Sequence, residues 1–217
     1  MLFCLSCFFF PVVTIAADFD RDSRDDLAIF RPSSGLWAIR DVSRIYFGAS
    51  LDQPRSGDFD GDGTYEPAIF RASSGLWAAR GVTRAYFGGS ADSAVPGFYS
   101  GGPAMDIGIF RSIGGLWAVR GLTRLYFGGS SDFAYPGDYT GDGIWEPGIV
   151  RPSSGLWAIR GITRRYFGTV NDDPVPASYS GGPASEIGIF RDSSGLWPVT
   201  GTTRVYYGTT GDAPMTR

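Results

Sequence analysis

The chain has 217 residues, with 19 basic and 22 acidic side chains and a net charge of −3 at neutral pH. This mildly acidic balance excludes the basic surface that nucleic-acid binding requires. Histidine and lysine are absent, and the two cysteines are Cys4 and Cys7. The usual general bases and nucleophiles are therefore missing after residue 17, and we predict that the chain is not an enzyme.

The chain opens with an apolar leader, Met1–Ala17, which ends in small residues and resembles a secretory signal peptide. We therefore expect a secreted protein, in the periplasm or outside the cell. The apolar run is too short for a membrane-spanning helix of about 20 residues, so no membrane span is predicted. The alternative is that Val12–Ala17 form an inner strand, because they align with Gln53–Gly57 of the first repeat.

After the leader, one forty-residue sequence occurs five times without insertion or deletion. The period is marked by Trp37, Trp77, Trp117, Trp157 and Trp197. The repeats are Asp18–Gly57, Asp58–Gly97, Phe98–Gly137, Asp138–Ala177 and Ser178–Arg217. Because the repeats fill positions 18–217, we predict a single domain.

Each repeat contains short apolar runs separated by glycine-rich turns, and no window has the helical period. Predicted strands in the second repeat are Pro67–Arg71, Leu76–Arg80 and Arg84–Phe87, with Arg55–Phe59 as the innermost strand. Four short strands in about forty residues are typical of a β-propeller blade. We therefore predict an all-β, five-bladed β-propeller. Similar terminal repeats favour a closed ring over an open solenoid, which would need polar caps.

An acidic loop opens the second repeat. Asp58, Asp60, Asp62 and Glu66 stand at loop positions one, three, five and nine, and the carbonyl of Thr64 is at position seven. Alternate carboxylates in a tight turn converge on one point, and hard oxygen ligands suit Ca²⁺. The alternative is a turn held by its own side chains without metal.

The other four loops differ in acid content. Loop one has four candidate ligands, Asp18, Asp20, Asp22 and Asp26. Loop four has three, Asp138, Asp142 and Glu146, with Thr140 at position three. Loops three and five keep one acid each, Asp106 and Glu186, beside a Gly-Gly-Pro turn. One carboxylate binds Ca²⁺ poorly, so we predict calcium only in loops one, two and four.

The run DFDGDGTYEPAIF, followed by a strand and a Phe-Gly pair, resembles the FG-GAP or VCBS repeat of integrin-α-type β-propellers. The Phe-Gly pair recurs in four repeats, and the fifth has Tyr207-Gly208. In that family a D-x-D-x-D-G-x-x-D loop between blade strands binds Ca²⁺. The resemblance therefore implies Ca²⁺ as the cofactor and the loop acids as its ligands. Family members usually have seven or eight longer blades, a pattern from which this chain departs.

Aromatic and arginine residues suggest two further sites. The five periodic tryptophans are predicted to lie between blades, with sugar stacking as the alternative. Trp145 falls outside the period at position eight of loop four, and we expect it to be exposed and available to stack on a ligand. The periodic arginines are predicted to pair with carboxylates, with an anion-binding ring as the alternative.

These features together predict a secreted, calcium-binding propeller that acts as a lectin-like or adhesion-type binding module, with a glycan or a protein surface as its partner. One alternative is a structural or protein-interaction propeller without a glycan site, and another is an enzyme acting on polysaccharide. The C-terminal Met215–Arg217 align with Val175–Ala177. If the leader is removed, we expect this tail to pair beside Asp18–Phe19 and close the ring.

Overall fold

Five four-stranded antiparallel sheets form a five-bladed β-propeller, as predicted. The structure is a computed structural model, and it describes residues 13–22, 24–210, 212 and 214. The described part contains no α-helix, only two single-turn 3-10 helices, Pro152–Ser154 and Asp192–Ser194. Each sheet is a simple meander, with its strands side by side in chain order.

The strands have the following bounds. Blade one contains β1 (Val13–Ala17), β2 (Asp26–Arg31), β3 (Leu36–Ile39) and β4 (Ser43–Tyr46). Blade two contains β5 (Gln53–Gly57), β6 (Glu66–Arg71), β7 (Leu76–Ala79) and β8 (Thr83–Tyr86). Blade three contains β9 (Ser93–Ala94), β10 (Gly108–Arg111), β11 (Leu116–Val119) and β12 (Thr123–Tyr126). Blade four contains β13 (Phe133–Ala134), β14 (Gly148–Arg151), β15 (Leu156–Ile159) and β16 (Thr163–Tyr166). Blade five contains β17 (Asp172–Pro174), β18 (Ile189–Arg191), β19 (Leu196–Val199) and β20 (Thr203–Tyr206).

Each blade has two apolar faces because its residues alternate between them. In blade two, Phe70 pairs with Trp77 across β6 and β7, and the pair points toward blade three. Ile69 and Ala78 form the next pair, point the other way, and pack against the aromatic pair of blade one. We call these the forward face and the rear face of a blade.

The core lies between blades, as predicted for the periodic tryptophans. Trp37, Trp77, Trp117 and Trp157 are at most 1 % exposed, and each packs in a cluster with residues of the following blade. Each indole N–H is also satisfied: that of Trp77, for example, donates to the carbonyl of Phe87 at 3.1 Å. The aromatic rings therefore join adjacent sheets without leaving a buried donor unpaired.

Two expectations about the innermost strands need revision. The strand expected at Arg55–Phe59 begins and ends two residues earlier, at Gln53–Gly57, because residue 58 already belongs to the acidic loop. The structure also contains a strand at Val13–Ala17, paired with β2, which agrees with the alternative interpretation of the leader's end. Cleavage of the leader stays a prediction, and the tail predicted at Met215–Arg217 lies outside the described residues.

Candidate metal centre

The acidic loops join the first and second strands of each blade. In blade two the loop begins at Asp58, directly after β5, and ends where Gly57 pairs with Glu66. The corresponding pairs in blades three and four are Gly97 with Asp106 and Gly137 with Glu146. The antiparallel pairing thus fixes the two ends of each loop, and all five loops lie at the same end of the propeller.

Hydrogen bonds within loop two hold its first carboxylate in place. Asp58 Oδ1 accepts the backbone N–H of Gly61 at 2.6 Å and of Asp62 at 3.1 Å, and Oδ2 accepts that of Gly63 at 2.9 Å. The carboxylate itself is buried. Since three backbone donors already satisfy Asp58, its removal would disturb the loop as well as any bound ion.

The last acid of loop two has an unusual electrostatic environment. Glu66 Oε2 accepts the backbone N–H of Phe59 at 2.8 Å. Burial raises the pKa of Glu66 to about 7, and the neighbouring charges of Asp60, Asp58 and Asp62 add to this effect. The pKa of Asp62 is instead lowered, chiefly by hydrogen bonds from Thr64. Four acids crowded in this way repel one another, and a cation would relieve the repulsion.

Three of the loops bring acids together. In each, the grouped carboxylates offer oxygens within 4.8 Å of one another. The groups are Asp58, Asp60, Asp62 and Glu66 in loop two, Asp18, Asp20 and Asp22 in loop one, and Asp138, Asp142 and Glu146 in loop four. Oxygens about 2.4 Å from one calcium ion lie at most about 4.8 Å apart, so the spacing within each group is compatible with a shared cation. The predicted role of the Thr64 carbonyl stays a prediction.

Asp26 is not part of the loop-one group, contrary to expectation. Its Oδ2 accepts the backbone N–H of Phe19 at 2.8 Å, the same bond that Glu66 makes in loop two. Aspartate is one methylene shorter than glutamate. The bond to Phe19 holds Asp26 at the base of the loop, outside the group formed by Asp18, Asp20 and Asp22.

The Gly-Gly-Pro loops pack beside the acidic loops. A Cβ on Gly61, which has φ +80°, would lie 3.0 Å from Pro103 of loop three. Gly141 of loop four has the same relation to Pro183 of loop five, at 2.9 Å. Backbone bonds continue the contact, since Met105 N–H donates to the carbonyl of Asp58 at 2.6 Å. Loops three and five thus support the acidic loops beside them.

Trp145 is half-buried, so the prediction of an exposed indole is wrong. Its ring meets Phe98 edge to face at 6.0 Å, and a Cβ on Gly97 would clash with it at 2.6 Å. Its backbone N–H donates to the carbonyl of Phe98 at 3.0 Å. Position eight of the loop points toward the preceding blade, which explains why Trp145 packs there; its ligand role stays a prediction.

Four aspartates that the sequence analysis overlooked hold the connections between blades. Each forms a two-point ion pair with an arginine nineteen residues later, as in Arg71 Nε to Asp52 Oδ1 at 2.7 Å and Nη2 to Oδ2 at 2.8 Å. The pairs, which we call latches, are Asp52–Arg71, Asp92–Arg111, Asp132–Arg151 and Asp172–Arg191. Their forty-residue period was the signal in the sequence. The prediction that the periodic arginines pair with carboxylates is confirmed for Arg71, Arg111, Arg151 and Arg191, whereas the outer-strand arginines of the described chain form no such ion pair.

The outer strands form a second candidate surface, the rim. Tyr46, Tyr86, Tyr126, Tyr166 and Tyr206 are 71–76 % exposed. An exposed arginine stands two residues before each of them, on the same face of the strand. Between blades two and three this face borders a groove of about 280 Å³ lined by Phe87, Gly88 and the side chains of Arg111 and Arg124, among others.

Comparisons with family models, curated proteins and solved structures find no match for this chain. Among the described residues, no helix is long and apolar enough to cross a membrane. The propeller fold itself supports a general role as a binding module.

Proposed function

We propose that this chain is a secreted, calcium-stabilised propeller that binds glycans through its rim. The observation that carries the binding role is the tyrosine–arginine pair exposed on each of five outer strands. Tyrosine and arginine are enriched at recognition surfaces, because one is a rigid amphipathic ring and the other a planar cation with several donors. Five large exposed aromatic rings in one repeated position have no role in the core.

The chemistry of the rim favours a saccharide that carries an acidic group. Arg124 borders the groove between blades two and three beside Phe87, and Tyr126 stands two residues further along the same strand face. A sugar ring can stack on an aromatic side chain, and a guanidinium can bind a carboxylate or sulfate in two-point geometry. Repetition around the propeller would add avidity to weak single sites.

Calcium has a structural role in this proposal. The three acid groups lie in loops at the ends of the inner strands, whereas the rim lies on the outer strands. A cation in each loop would neutralise repelling carboxylates and hold the loop against the next blade. The resemblance to FG-GAP or VCBS repeats supports calcium binding, the apolar leader before β1 supports secretion, and the lack of histidine and lysine supports a non-enzymatic role.

A glycan array with neutral, uronic and sulfated saccharides, probed with and without calcium, tests the proposal. We expect binding to acidic saccharides, a loss of at least tenfold in Arg124→Ala and Tyr126→Ala, and little change in the control Ile113→Ser. Ile113 is 74 % exposed but lies on a turn and does not line the groove. A blank array, or equal binding by all variants, would contradict the glycan role.

A protein surface is the second candidate partner. The same tyrosine–arginine pairs suit a protein interface, where these residue types are also enriched. Binding to a glycoprotein that survives enzymatic removal of its glycans, but not Tyr126→Ala, would favour this candidate over the first.

A further inference from the structure

Four junctions between consecutive blades share one set of contacts. A Phe-Gly glycine at the end of each blade lies against an isoleucine on the rear face of the next. A Cβ on Gly48, Gly88, Gly128 or Gly168 would be 2.9–3.2 Å from Ile69, Ile109, Ile149 or Ile189 respectively. These isoleucines are 2–3 % exposed. Each junction is completed by one latch.

The rear face of blade one and the forward face of blade five, which would form a fifth junction, are more exposed than the corresponding faces at the other four junctions. Ile29, the equivalent isoleucine of blade one, remains partly exposed, and Leu27 beside it is 47 % exposed. A groove of about 680 Å³ runs over this region and is lined by Ile29, Ala38 and Arg44, among others. On blade five, Trp197 is partly exposed, whereas the four equivalent tryptophans are buried, and Val205, its cross-strand neighbour, is 48 % exposed. A Cβ on Gly208 would have Asp212 and Phe190 of its own segment as nearest neighbours.

The two halves of a fifth latch are also present, one near each end of the chain. Arg31 stands forty residues before Arg71, but the residue forty before Asp52 is Val12 of the leader, which carries no charge. Asp212 stands forty residues after Asp172. Both are exposed, and no ion pair joins either of them to another charge in the described part of the chain.

The turn around Asp212 already has the geometry of a latch. Thr209 N–H donates to Asp212 Oδ2 at 2.8 Å, and Asp212 N–H donates to the carbonyl of Thr209 at 3.1 Å. The established latch at Asp172 has the same two bonds to Thr169, at 2.8 Å and 3.1 Å. In Asp172 this turn presents the carboxylate to Arg191. The turn of Asp212 therefore has every feature of a latch except its arginine.

We propose that the forward face of blade five docks on the rear face of blade one in the same chain, and that Arg31 and Asp212 form the fifth latch. The docked faces would bury Ile29 and Trp197 as the other junctions bury their equivalents. Arg31 and Asp212 carry opposite charges, and the two faces continue an interface that the chain already uses four times. Contact within one chain is favoured over contact between chains by its high effective concentration.

A double-mutant cycle on melting temperature tests this assignment. The variants are Arg31→Gln, Asp212→Asn and the double variant; because both residues are exposed, misfolding of the variants is not expected. Each single variant should lower the melting temperature by about 3 °C, and the double variant should lose no more than either single one. The same cycle on Asp172 and Arg191 provides the matched control for an established latch.

Light scattering on the same samples measures the molecular mass and so shows whether blade five docks on blade one of the same chain or of a second copy. The proposal predicts the monomer mass of 23.4 kDa for all variants at every protein concentration. It is overturned if Arg31→Gln and Asp212→Asn leave the melting temperature unchanged while the control pair lowers it. It is also overturned if the coupling appears only with a concentration-dependent dimer, since the same faces would then join two copies of the chain.

Discussion

Single glycines at the turns between the third and fourth strands set a clear residue-scale test. Gly81 has φ +81°, and a Cβ there would meet nothing within 4 Å. The first blade has Asp41 at the same turn position, with φ +60°. The left-handed conformation costs an L-residue about 1 kcal/mol, so any penalty here is a property of the backbone and not of packing.

We therefore expect Gly81→Ala to lower the free energy of unfolding by about 1 kcal/mol in urea titrations. Asp41→Gly should instead raise the free energy of unfolding, by about 0.5 kcal/mol. The gain is smaller than the loss at Gly81 because the added glycine also increases the entropy of the unfolded chain. The exposed pair of Asp41 with Arg40, at 3.3 Å, contributes little to oppose this. Neutral results for both variants would show that these turns relax without strain.

Side-chain length at the same scale explains why sequence predicted the acid groups only in part. The acids at the alternate positions of loops one, two and four were recognisable, because the tight turn brings these positions together. At position nine, Asp26 and Glu66 differ by one methylene, and both accept a bond from the backbone N–H of the second loop residue. This bond is visible only in the folded structure, so the sequence could not show which of the two acids would join the group. Similarly, the environment of Trp145 depends on the preceding blade.

At the scale of elements, the latches tie the entering connection of a blade to its second strand. Asp172 is buried, and its Oδ atoms accept bonds from Arg191 and Thr169. Burial by itself raises the pKa of Asp172, but the bonds from Arg191 and Thr169 outweigh it and hold the pKa below the ordinary value of 3.8. The folded protein therefore binds this proton more weakly than the unfolded chain does.

The consequence is a stabilising contribution that is complete above about pH 4 and is lost as the pH falls through the lowered pKa. We expect Asp172→Asn to reduce the free energy of unfolding by about 2 kcal/mol at pH 7, and to show a much smaller difference from the wild type at pH 2. Chemical denaturation at several pH values measures this. Asp41→Asn, an exposed acid, is the control. A difference that is independent of pH would contradict the assigned pairing.

Sequence predicted the strands better than the latches. Turn glycines and the Gly-Leu-Trp run define three strands of each blade in every repeat, and their period excluded a helix. An aspartate in a turn has many local roles, however, and nothing short-range distinguishes Asp52 from an ordinary turn residue. Only the three-dimensional approach of Arg71, nineteen positions away, gives it a partner.

On the scale of the whole molecule, three features of the repeat occur at three different places in the propeller. Aromatic pairs join the blades, acidic loops gather at one end of the inner strands, and tyrosine–arginine pairs cover the outer strands. The forty-residue period predicted the five blades. The period predicted a closed ring but not how the last and first blades meet, because the latch aspartate and the arginine that would join them belong to different ends of the chain.

The loops also explain how calcium would act on the whole propeller. Loop two contacts loop three through Gly61 and Pro103, and loop four contacts loop five through Gly141 and Pro183. An ion in an acidic loop would therefore fix a loop of the adjacent blade as well. The free energy of ion binding would appear as stability of the entire fold.

The most direct test of the account is the melting temperature in calcium compared with that in chelator, for the wild type and for Asp60→Asn. Asp60 is the best position for this substitution, because asparagine can still accept its one described hydrogen bond, from the N–H of Asp62. The variant therefore removes the charge without disturbing the turn. At a calcium concentration 100 times the dissociation constant, we predict a rise of about 5–10 °C for each loop that binds an ion, and the rise should keep growing with the logarithm of the calcium concentration. Most of the part due to loop two should disappear in Asp60→Asn, whereas Asp106→Asn in loop three should keep the full rise. Identical melting temperatures of the wild type in calcium and in chelator would contradict a calcium-stabilised propeller.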